Sequence, residues 1–198
     1  MEKNQSNNYK KYTSKNPLMG IVISNFIKNL QDIVVPLENV KNAIDIGCGE
    51  GFIANYLNLP AITGVDISEN ALKIAKYRNQ EYNFCMGSVY NLSFKRNSFD
   101  LVVATEVLEH LNEPELALEE IRRVSKKYCI FSVPNEPFFR TMNLLRGKNL
   151  KRYGNDIEHV QNWSSGEFTS MVDRYFEILK VRKPFPWTMV LCKVREKR

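Results

Sequence analysis

Residues 42–52 read NAIDIGCGEGF, and this stretch decides the fold. A short apolar run is followed by three glycines, Gly47, Gly49 and Gly51, and then by a helical pattern. Glycine lets the backbone turn tightly and approach a ligand closely. A glycine-rich turn between a buried strand and a helix is typical of α/β proteins that bind nucleotides or nucleosides. The stretch therefore predicts a strand, a ligand-binding loop and a helix.

The glycine spacing excludes two common phosphate-binding loops. A dinucleotide fingerprint, GxGxxG, would need glycine where the chain has Phe52, and no GK[ST] of a P-loop follows. The pattern is GxGxG, with an acid, Asp45, just before it. Asp66 ends the next predicted strand, where an acid can bind the two hydroxyls of a ribose. The loop therefore fits a nucleoside without a pyrophosphate. The alternative is a glycine turn and a surface acid that bind nothing.

The text on both sides of this loop alternates between strand and helix patterns. Ser164 and Glu167 form a capping-box pattern before the last helix, and two final strands around a Pro-Phe-Pro turn read as a hairpin at the sheet edge. The predicted strands are 42–47, 61–67, 82–87, 99–105, 128–134, 175–183 and 187–194, and the predicted helices are 17–36, 50–58, 68–79, 114–125, 138–146 and 164–175.

This alternation predicts an α/β protein with a parallel sheet and helices on both of its faces. The length of 198 residues suits one domain, over 1–198. Residues 1–16 are polar and predict a flexible arm, and 17–36 predict an N-terminal helix. Residues 135–160 are irregular, aromatic and basic. An insertion of this kind inside a domain predicts a wall on the substrate side of the site.

Composition indicates an ordinary globular protein, with 43% hydrophobic and 25% charged residues. Cys48, Cys85, Cys129 and Cys192 are far apart, which predicts neither a zinc site nor a redox motif and fits a reducing cytoplasm. The polar N-terminus predicts no signal peptide, and the apolar runs are too short to cross a bilayer. We therefore predict a cytoplasmic protein that does not bind membranes.

The net charge is +6, with an isoelectric point near 9.1. Two interpretations of the basic residues stay open: a nucleic-acid footprint, or solvated tails and helix ends. They concentrate in three stretches: Lys10, Lys11 and Lys15; Arg140, Arg146, Lys148, Lys151 and Arg152; and Lys193, Arg195, Lys197 and Arg198.

The segment Thr105 to Leu111 reads TEVLEHL and follows a predicted strand. In a helix, Glu106, Glu109 and His110 would share one face. Because ligands of open α/β sheets bind at the carboxyl ends of strands, the segment should lie beside the ligand. Three interpretations stay open: an acidic helix start with a packed histidine, an acid/base or substrate-orienting pair, and a divalent metal site.

The metal interpretation depends on the second of the two histidines. His159 follows Glu158, after the variable segment. Two carboxylates and two imidazoles could form a mixed oxygen and nitrogen site for Mg²⁺, Mn²⁺ or Zn²⁺. The candidate ligands are Glu106, Glu109, His110 and His159.

The quoted motifs AIDIGCGEG, GVDIS and FDLVVATEVLEHL together resemble those of the class I S-adenosylmethionine-dependent methyltransferases. Within that class, the chain is similar to the methyltransferase type 11 and quinone-biosynthesis branch. The resemblance covers roughly 40–135 and extends less specifically to HVQNWSSGEF, at 159–168. It implies a three-layer α/β/α Rossmann-like sandwich with a seven-stranded, mostly parallel sheet of order 3-2-1-4-5-7-6 and one antiparallel edge strand.

The resemblance also implies which residues bind the cofactor, S-adenosyl-L-methionine. The family usually places an aspartate after the third strand to bind the adenine amine, and here Ser88 departs from that pattern. The implied cofactor-binding residues are Asp45, Gly47, Cys48, Gly49, Gly51, Asp66, Ile67, Ser88, Val89 and Thr105.

The function implied is methyl transfer to a small-molecule acceptor at oxygen, with His110 and Glu109 as candidate catalytic residues. Phe138, Phe139, Tyr153 and Trp163 are candidates to line the acceptor pocket. One alternative is a metal-dependent RNA 2′-O-methyltransferase, because the small-RNA 3′-end enzymes resemble this chain in ExxEH and a later histidine. Another is a non-catalytic S-adenosylmethionine-binding subunit that acts through a partner protein.

Overall fold

A computed structural model of the chain describes residues 7–138, 140, 141 and 159–195. Most of the insertion predicted over 135–160 lies outside the described residues. The same is true of Phe139, Tyr153 and most of the predicted helix 138–146.

Seven strands form one sheet at the centre of the described chain. Their order across the sheet is 3-2-1-4-5-7-6, as the family resemblance implied. The strands are β1 (Asn42–Ile46), β2 (Ala61–Asp66), β3 (Asn83–Met86), β4 (Phe99–Thr105), β5 (Ser125–Pro134), β6 (Phe176–Arg182) and β7 (Trp187–Val194).

The reversed strand is not at the edge of the sheet, and this detail of the prediction is corrected. Strand β7 is antiparallel to both of its neighbours, β5 and β6. The long ladder to β5 pairs residues from Tyr128 with Lys193 to Pro134 with Trp187. Because the hairpin turn sends β7 back between β5 and β6, the edge strand is β6.

Helices cover both faces of the sheet, which confirms the three-layer α/β/α fold. Side chains of β4 alternate between two cores: Val102 and Ala104 pack on one face, and Leu101 and Val103 on the other. The first core contains residues of α5 and α6, and the second contains residues of α2, α3 and α4. The helices are α1 (Asn7–Tyr12), α2 (Pro17–Val34), α3 (Ala54–Leu57), α4 (Glu69–Arg78), α5 (Pro114–Val124) and α6 (Ser165–Asp173).

Local signals explain where several helices begin. Asn16 accepts a hydrogen bond from the backbone of Leu18 at the start of α2, and Ser68 caps α4. The capping box predicted from Ser164 and Glu167 is present at α6. The helix predicted over 50–58 is shorter than expected, because its first residues continue the turns of the glycine loop.

The N-terminal arm differs from the prediction of a flexible segment over 1–16. Residues Asn7–Tyr12 form α1, and side chains of this helix contact Phe52 and Glu106. This described part of the arm is held by aromatic and charged partners far away in sequence, which a polar composition does not reveal. Within the described residues, no helix combines the length and the apolar character needed to cross a bilayer. The cytoplasmic location stays a prediction.

Candidate active site

The glycine loop turns sharply at the carboxyl end of β1. Gly47, Gly49 and Gly51 have φ values of 68°, 52° and 73°, in the left-handed region that favours glycine. The backbone N–H groups of Gly47 and Cys48 both donate to the carbonyl of Val65, at 2.8 and 3.1 Å. These bonds attach the loop to the end of β2, so that the two predicted parts of the cofactor site lie together.

Asp66 holds the loop in this shape. One carboxylate oxygen accepts a 2.8 Å bond from the backbone of Gly49, and the other accepts a 2.8 Å bond from Ser68. Each oxygen keeps a second lone pair that a ribose hydroxyl can use. Next to it, Ile67 and Met86 are 77% and 71% exposed, at the ends of adjacent strands. Two exposed apolar side chains beside Asp66, the acid predicted to bind a ribose, suit a flat base, and Met86 was not predicted from the sequence.

Asp45 is a buried carboxyl just before the loop. It is 1% exposed, and its Oδ2 atom has no hydrogen-bond partner among the described residues. Burial away from water and, after it, the nearby charge of Asp66 raise the pKa of Asp45 to about 8. A buried carboxyl oxygen without a partner at a ligand loop is suited to receive a donor from a bound ligand.

The raised pKa of Asp45 makes a prediction about stability and pH. Folded Asp45 keeps its proton up to about pH 8, whereas the unfolded chain releases it near pH 4. The folded state therefore binds more protons between these values, so this group lowers stability as the pH rises from 4 to 8. Asp45→Asn should match the wild type near pH 4 and exceed its free energy of unfolding by a few kcal/mol at pH 8.5. Urea denaturation at both pH values measures this difference.

Asp100 provides a control of opposite sign. Burial acts to raise the pKa of Asp100, but hydrogen bonds from the Lys41 backbone and from Lys126 outweigh burial and lower this pKa below its usual range. Its stabilising effect is present above pH 4 and is lost as the pH falls, so Asp100→Asn should be less stable than the wild type at neutral pH. If Asp45→Asn lost stability at neutral pH as Asp100→Asn does, the raised pKa assigned to Asp45 would be contradicted.

The other predicted cofactor residues lie around the same loop. Cys48 is buried, and burial raises the pKa of its thiol well above the usual range, so it packs as an apolar side chain. Ser88 accepts a bond from the Tyr90 backbone, and Val89 is buried behind it. Thr105 lies on the opposite side of the loop. It lines a cavity of about 20 Å³ together with Tyr12, Gly47, Cys48, Glu50, Phe52, Ile53 and Glu106.

The segment after β4 does not form the helix in which Glu106, Glu109 and His110 would share one face. Glu106 has a φ of 57°, which stops the chain from continuing into a helix, and only Leu108–His110 form a short 3₁₀ turn. Glu106 therefore does not share a face with Glu109 and His110. Its carboxylate makes an ion pair with Lys11 of α1 instead.

Three of the four predicted metal ligands come together. One ligand atom from each of Glu109, His110 and His159 lies within 4.8 Å of the others, and the two imidazole rings are 5.1 Å apart. Both carboxylate oxygens of Glu109 are buried without a hydrogen-bond partner among the described residues. Glu106 is not part of this group.

Hydrogen bonds explain why His159, distant in sequence, reaches this place. The backbone N–H groups of Val160 and Gln161 both donate to the carbonyl of Glu109 at 2.9 Å. The side chain of Gln161 donates to the carbonyl of Leu111 at 3.1 Å. The segment after the insertion is thus attached to the segment after β4.

Two aromatic residues predicted for the acceptor pocket have different surroundings. Phe138 is 53% exposed and contacts Phe185, with ring centroids 6.1 Å apart. Trp163 is partly buried and packs against Phe168 of the core, with ring centroids 5.9 Å apart.

Helix α1 covers the glycine loop, and its role was missed from the sequence. Tyr12 stacks on Phe52 at 4.7 Å, and Tyr9 meets the same ring edge-on at 5.8 Å. The guanidinium of Arg78 lies 4.0 Å from that ring. One residue in the sequence could have indicated this contact: Phe52 stands where a dinucleotide fingerprint has glycine, and it supplies the ring on which α1 packs.

Similarity to known proteins agrees with this geometry. Residues 44–133 match the family of methyltransferase domains. The human mitochondrial arginine-hydroxylase NDUFAF5 is 38% identical over 96 residues, 47% of this chain and 28% of that protein. The ubiquinone biosynthesis O-methyltransferase of Coxiella burnetii is 27% identical over 119 residues, 57% of this chain and 47% of that protein. The chain thus spans less than half the length of these two relatives.

The fold extends beyond the region of detectable sequence similarity. Magnesium protoporphyrin IX methyltransferase from Synechocystis PCC 6803, solved with bound SAH (S-adenosylhomocysteine), superposes with a TM-score of 0.71. The superposition covers 96% of this chain and 95% of that one, at 16% identity. Fold and loop geometry together define a class I methyltransferase fold. More particularly, residues 44–133, a little under half of the chain, are similar to the family of methyltransferase domains.

Proposed function

We propose that this protein transfers the methyl group of S-adenosylmethionine to a hydroxyl oxygen of a small-molecule acceptor, and that a divalent cation orients this hydroxyl. The observation that carries the proposal is the group formed by Glu109, His110 and His159. Glu109 and His110 lie in the segment that directly follows Thr105, a residue that lines the cavity of the glycine loop, and His159 joins them from the segment after the insertion.

The donor set fits a divalent cation. Two imidazole nitrogens and one carboxylate suit Zn²⁺ or Mn²⁺ better than Mg²⁺, which prefers oxygen ligands. Burial and, after it, the charge of Glu106 raise the pKa of Glu109. Because both of its oxygens lack partners among the described residues, a cation would supply the missing interaction.

The cofactor side of the proposal depends on the loop. S-adenosylmethionine, when bound, supplies a methyl group on a sulfonium whose leaving group is already activated. Asp66 would bind the ribose hydroxyls, and Ile67 and Met86 would flank the adenine. The chain therefore has to position the acceptor and exclude water, which can contribute roughly 7–11 kcal/mol in favourable cases.

The acceptor class is inferred from the donors and from the relatives. A bound cation lowers the pKa of a coordinated hydroxyl, which makes oxygen the most suitable atom to be methylated. The relative from Coxiella burnetii is named an O-methyltransferase. The human relative is named an arginine-hydroxylase, so the test has to detect methyl transfer itself.

We expect the group of Glu109, His110 and His159, the metal group, to bind Mn²⁺ or Zn²⁺ in the protein without substrate. After EDTA treatment, titration calorimetry should detect one site per chain, and His110→Ala, His159→Ala and Glu109→Gln should each weaken it at least tenfold, since each removes one of three ligands. Glu119→Gln, which changes an exposed glutamate of α5, is the matched control and should bind as the wild type does. Equal affinity in all variants would remove the metal site from the proposal.

Activity separates the alternatives. Transfer of label from S-adenosylmethionine to catechol- or phenol-type acceptors, lost with EDTA and restored by Mn²⁺, is the expected result. Methyl transfer that is unchanged by EDTA would favour His110 or Glu109 as a general base. Transfer only to RNA, with binding that falls steeply with salt, would favour the RNA enzyme. Cofactor binding without transfer to any acceptor would favour a non-catalytic subunit.

A further inference from the structure

We propose that Lys11 and Glu106 bind the amino-acid end of the cofactor, with Lys11 paired to its α-carboxylate and Glu106 to its α-ammonium. This inference rests on the proposed function, because it assigns residues to the cofactor named there. It adds an N-terminal residue to a site whose other members lie at or just after the carboxyl ends of the strands.

The starting observation is an ion pair between distant parts of the chain. Lys11 belongs to α1 and Glu106 follows β4, and their side chains are only 17% and 18% exposed. The Lys11 ammonium also lies 4.6 Å from the ring of Trp187 and 5.4 Å from that of Tyr12. Aromatic faces favour a cation, so this end of α1 holds a positive charge beside the loop.

One member of the pair, Glu106, lies at the wall of the loop cavity. Glu106 and Tyr12 line that cavity together with Gly47 and Thr105. Its volume of about 20 Å³ has room for a single water molecule. A ligand whose amino-acid end reaches Thr105 therefore has to take over contacts that α1 makes now.

Charge complementarity identifies what can take them over. The amino-acid end of S-adenosylmethionine carries one positive and one negative charge on neighbouring groups. Lys11 and Glu106 offer the opposite two charges at adjacent positions. Binding would exchange one partly buried ion pair for two, so no charge is left unpaired away from water. An uncharged ligand end would break the pair without replacing it.

The backbone supports a fixed position for Glu106. Its φ of 57° is unusual for a residue other than glycine, and the Glu106 N–H donates to the carbonyl of Ser132 at 2.9 Å. Unusual backbone conformations that neighbouring structure maintains cluster at ligand sites. Asp45 is a second acid near the loop and could also pair with the α-ammonium group of the ligand. The decisive test therefore concerns Lys11, the proposed partner of the ligand's α-carboxylate.

The test compares two ligands that differ in the amino-acid end alone. S-adenosylhomocysteine carries it, and 5′-methylthioadenosine does not. Calorimetry on the full chain gives the ratio of their dissociation constants. If a substitution alters the docking of α1, it changes both dissociation constants alike, and their ratio stays the same. We expect the wild type to prefer S-adenosylhomocysteine at least tenfold, and Lys11→Met to reduce that preference at least tenfold. Glu106→Gln should reduce it in the same direction.

Two matched variants complete the experiment. Lys15→Met removes an exposed lysine just after α1 and should leave the preference unchanged. Arg78→Met removes the cation that lies over Phe52 and should also leave it unchanged.

Three results would overturn the inference alone: a preference that survives in Lys11→Met, a preference that Arg78→Met removes instead, or a wild type that binds both ligands equally. A wild type that binds neither ligand would overturn the proposed cofactor, and this inference with it.

Discussion

Asp66→Ala is expected to weaken S-adenosylhomocysteine binding by about a hundredfold, or roughly 3 kcal/mol. The variant loses the proposed acceptor for both ribose hydroxyls. It also loses the bond that holds the Gly49 N–H at 2.8 Å, so the loop no longer keeps its shape without ligand. Both effects act in the same direction. Isothermal titration calorimetry at one salt concentration measures the change.

Glu69→Gln is the matched control for Asp66→Ala. Glu69 is an exposed acid in the first turn of α4, paired with Lys73. Removing its charge leaves the loop untouched, so cofactor affinity should stay within twofold of the wild type. Thermal melting of both variants checks that they remain folded. Affinity retained in Asp66→Ala would mean that another group binds the ribose.

Gly47→Ala should lower the free energy of unfolding by about 2–4 kcal/mol and abolish detectable cofactor binding. An added Cβ would lie 2.4 Å from Cγ2 of Val107, and the φ of 68° disfavours any residue with a Cβ. The clash displaces the segment that carries Glu106 and Glu109. A single methyl group therefore disturbs the cofactor loop and the metal group together. Urea denaturation and calorimetry measure the two losses.

Gly20→Ala tests whether such losses belong to the loop. Gly20 lies in α2, and a Cβ built there meets nothing within 4 Å. Alanine is the better helix former by about 1 kcal/mol, so this variant should be slightly more stable and bind cofactor normally. If Gly47→Ala behaved like Gly20→Ala, the close contact with Val107 would be absent in solution.

The central half of the fold could be predicted because its signals are local. Each strand and helix from Asn42 to Pro134 has a continuous apolar pattern, a cap or a glycine turn, and parallel order follows from their alternation. Asp66 was placed correctly beside the loop because it ends the strand that pairs with β1. These features depend on neighbours in sequence, which a single chain displays.

The parts that were missed depend on contacts between distant residues. The conformation of Glu106 and the docking of α1 both involve partners such as Lys11 and Phe52, which lie far apart in sequence. No periodicity marks such pairs. The face shared by Glu106, Glu109 and His110 was a helical assumption, and one residue in a left-handed conformation removed it.

The attachment of the segment after the insertion has a consequence for how this protein can change. The backbone of Glu136 donates to the carbonyl of Trp163 at 3.0 Å, and Ser165 donates to the side chain of Asn135 at 3.1 Å. Both ends of the intervening stretch are thus tied at one point, and the cost of closing a loop grows slowly with its length. Evolution or an engineer can therefore lengthen, shorten or exchange this stretch, the proposed wall for the acceptor, while the residues proposed to hold cofactor and cation stay in place.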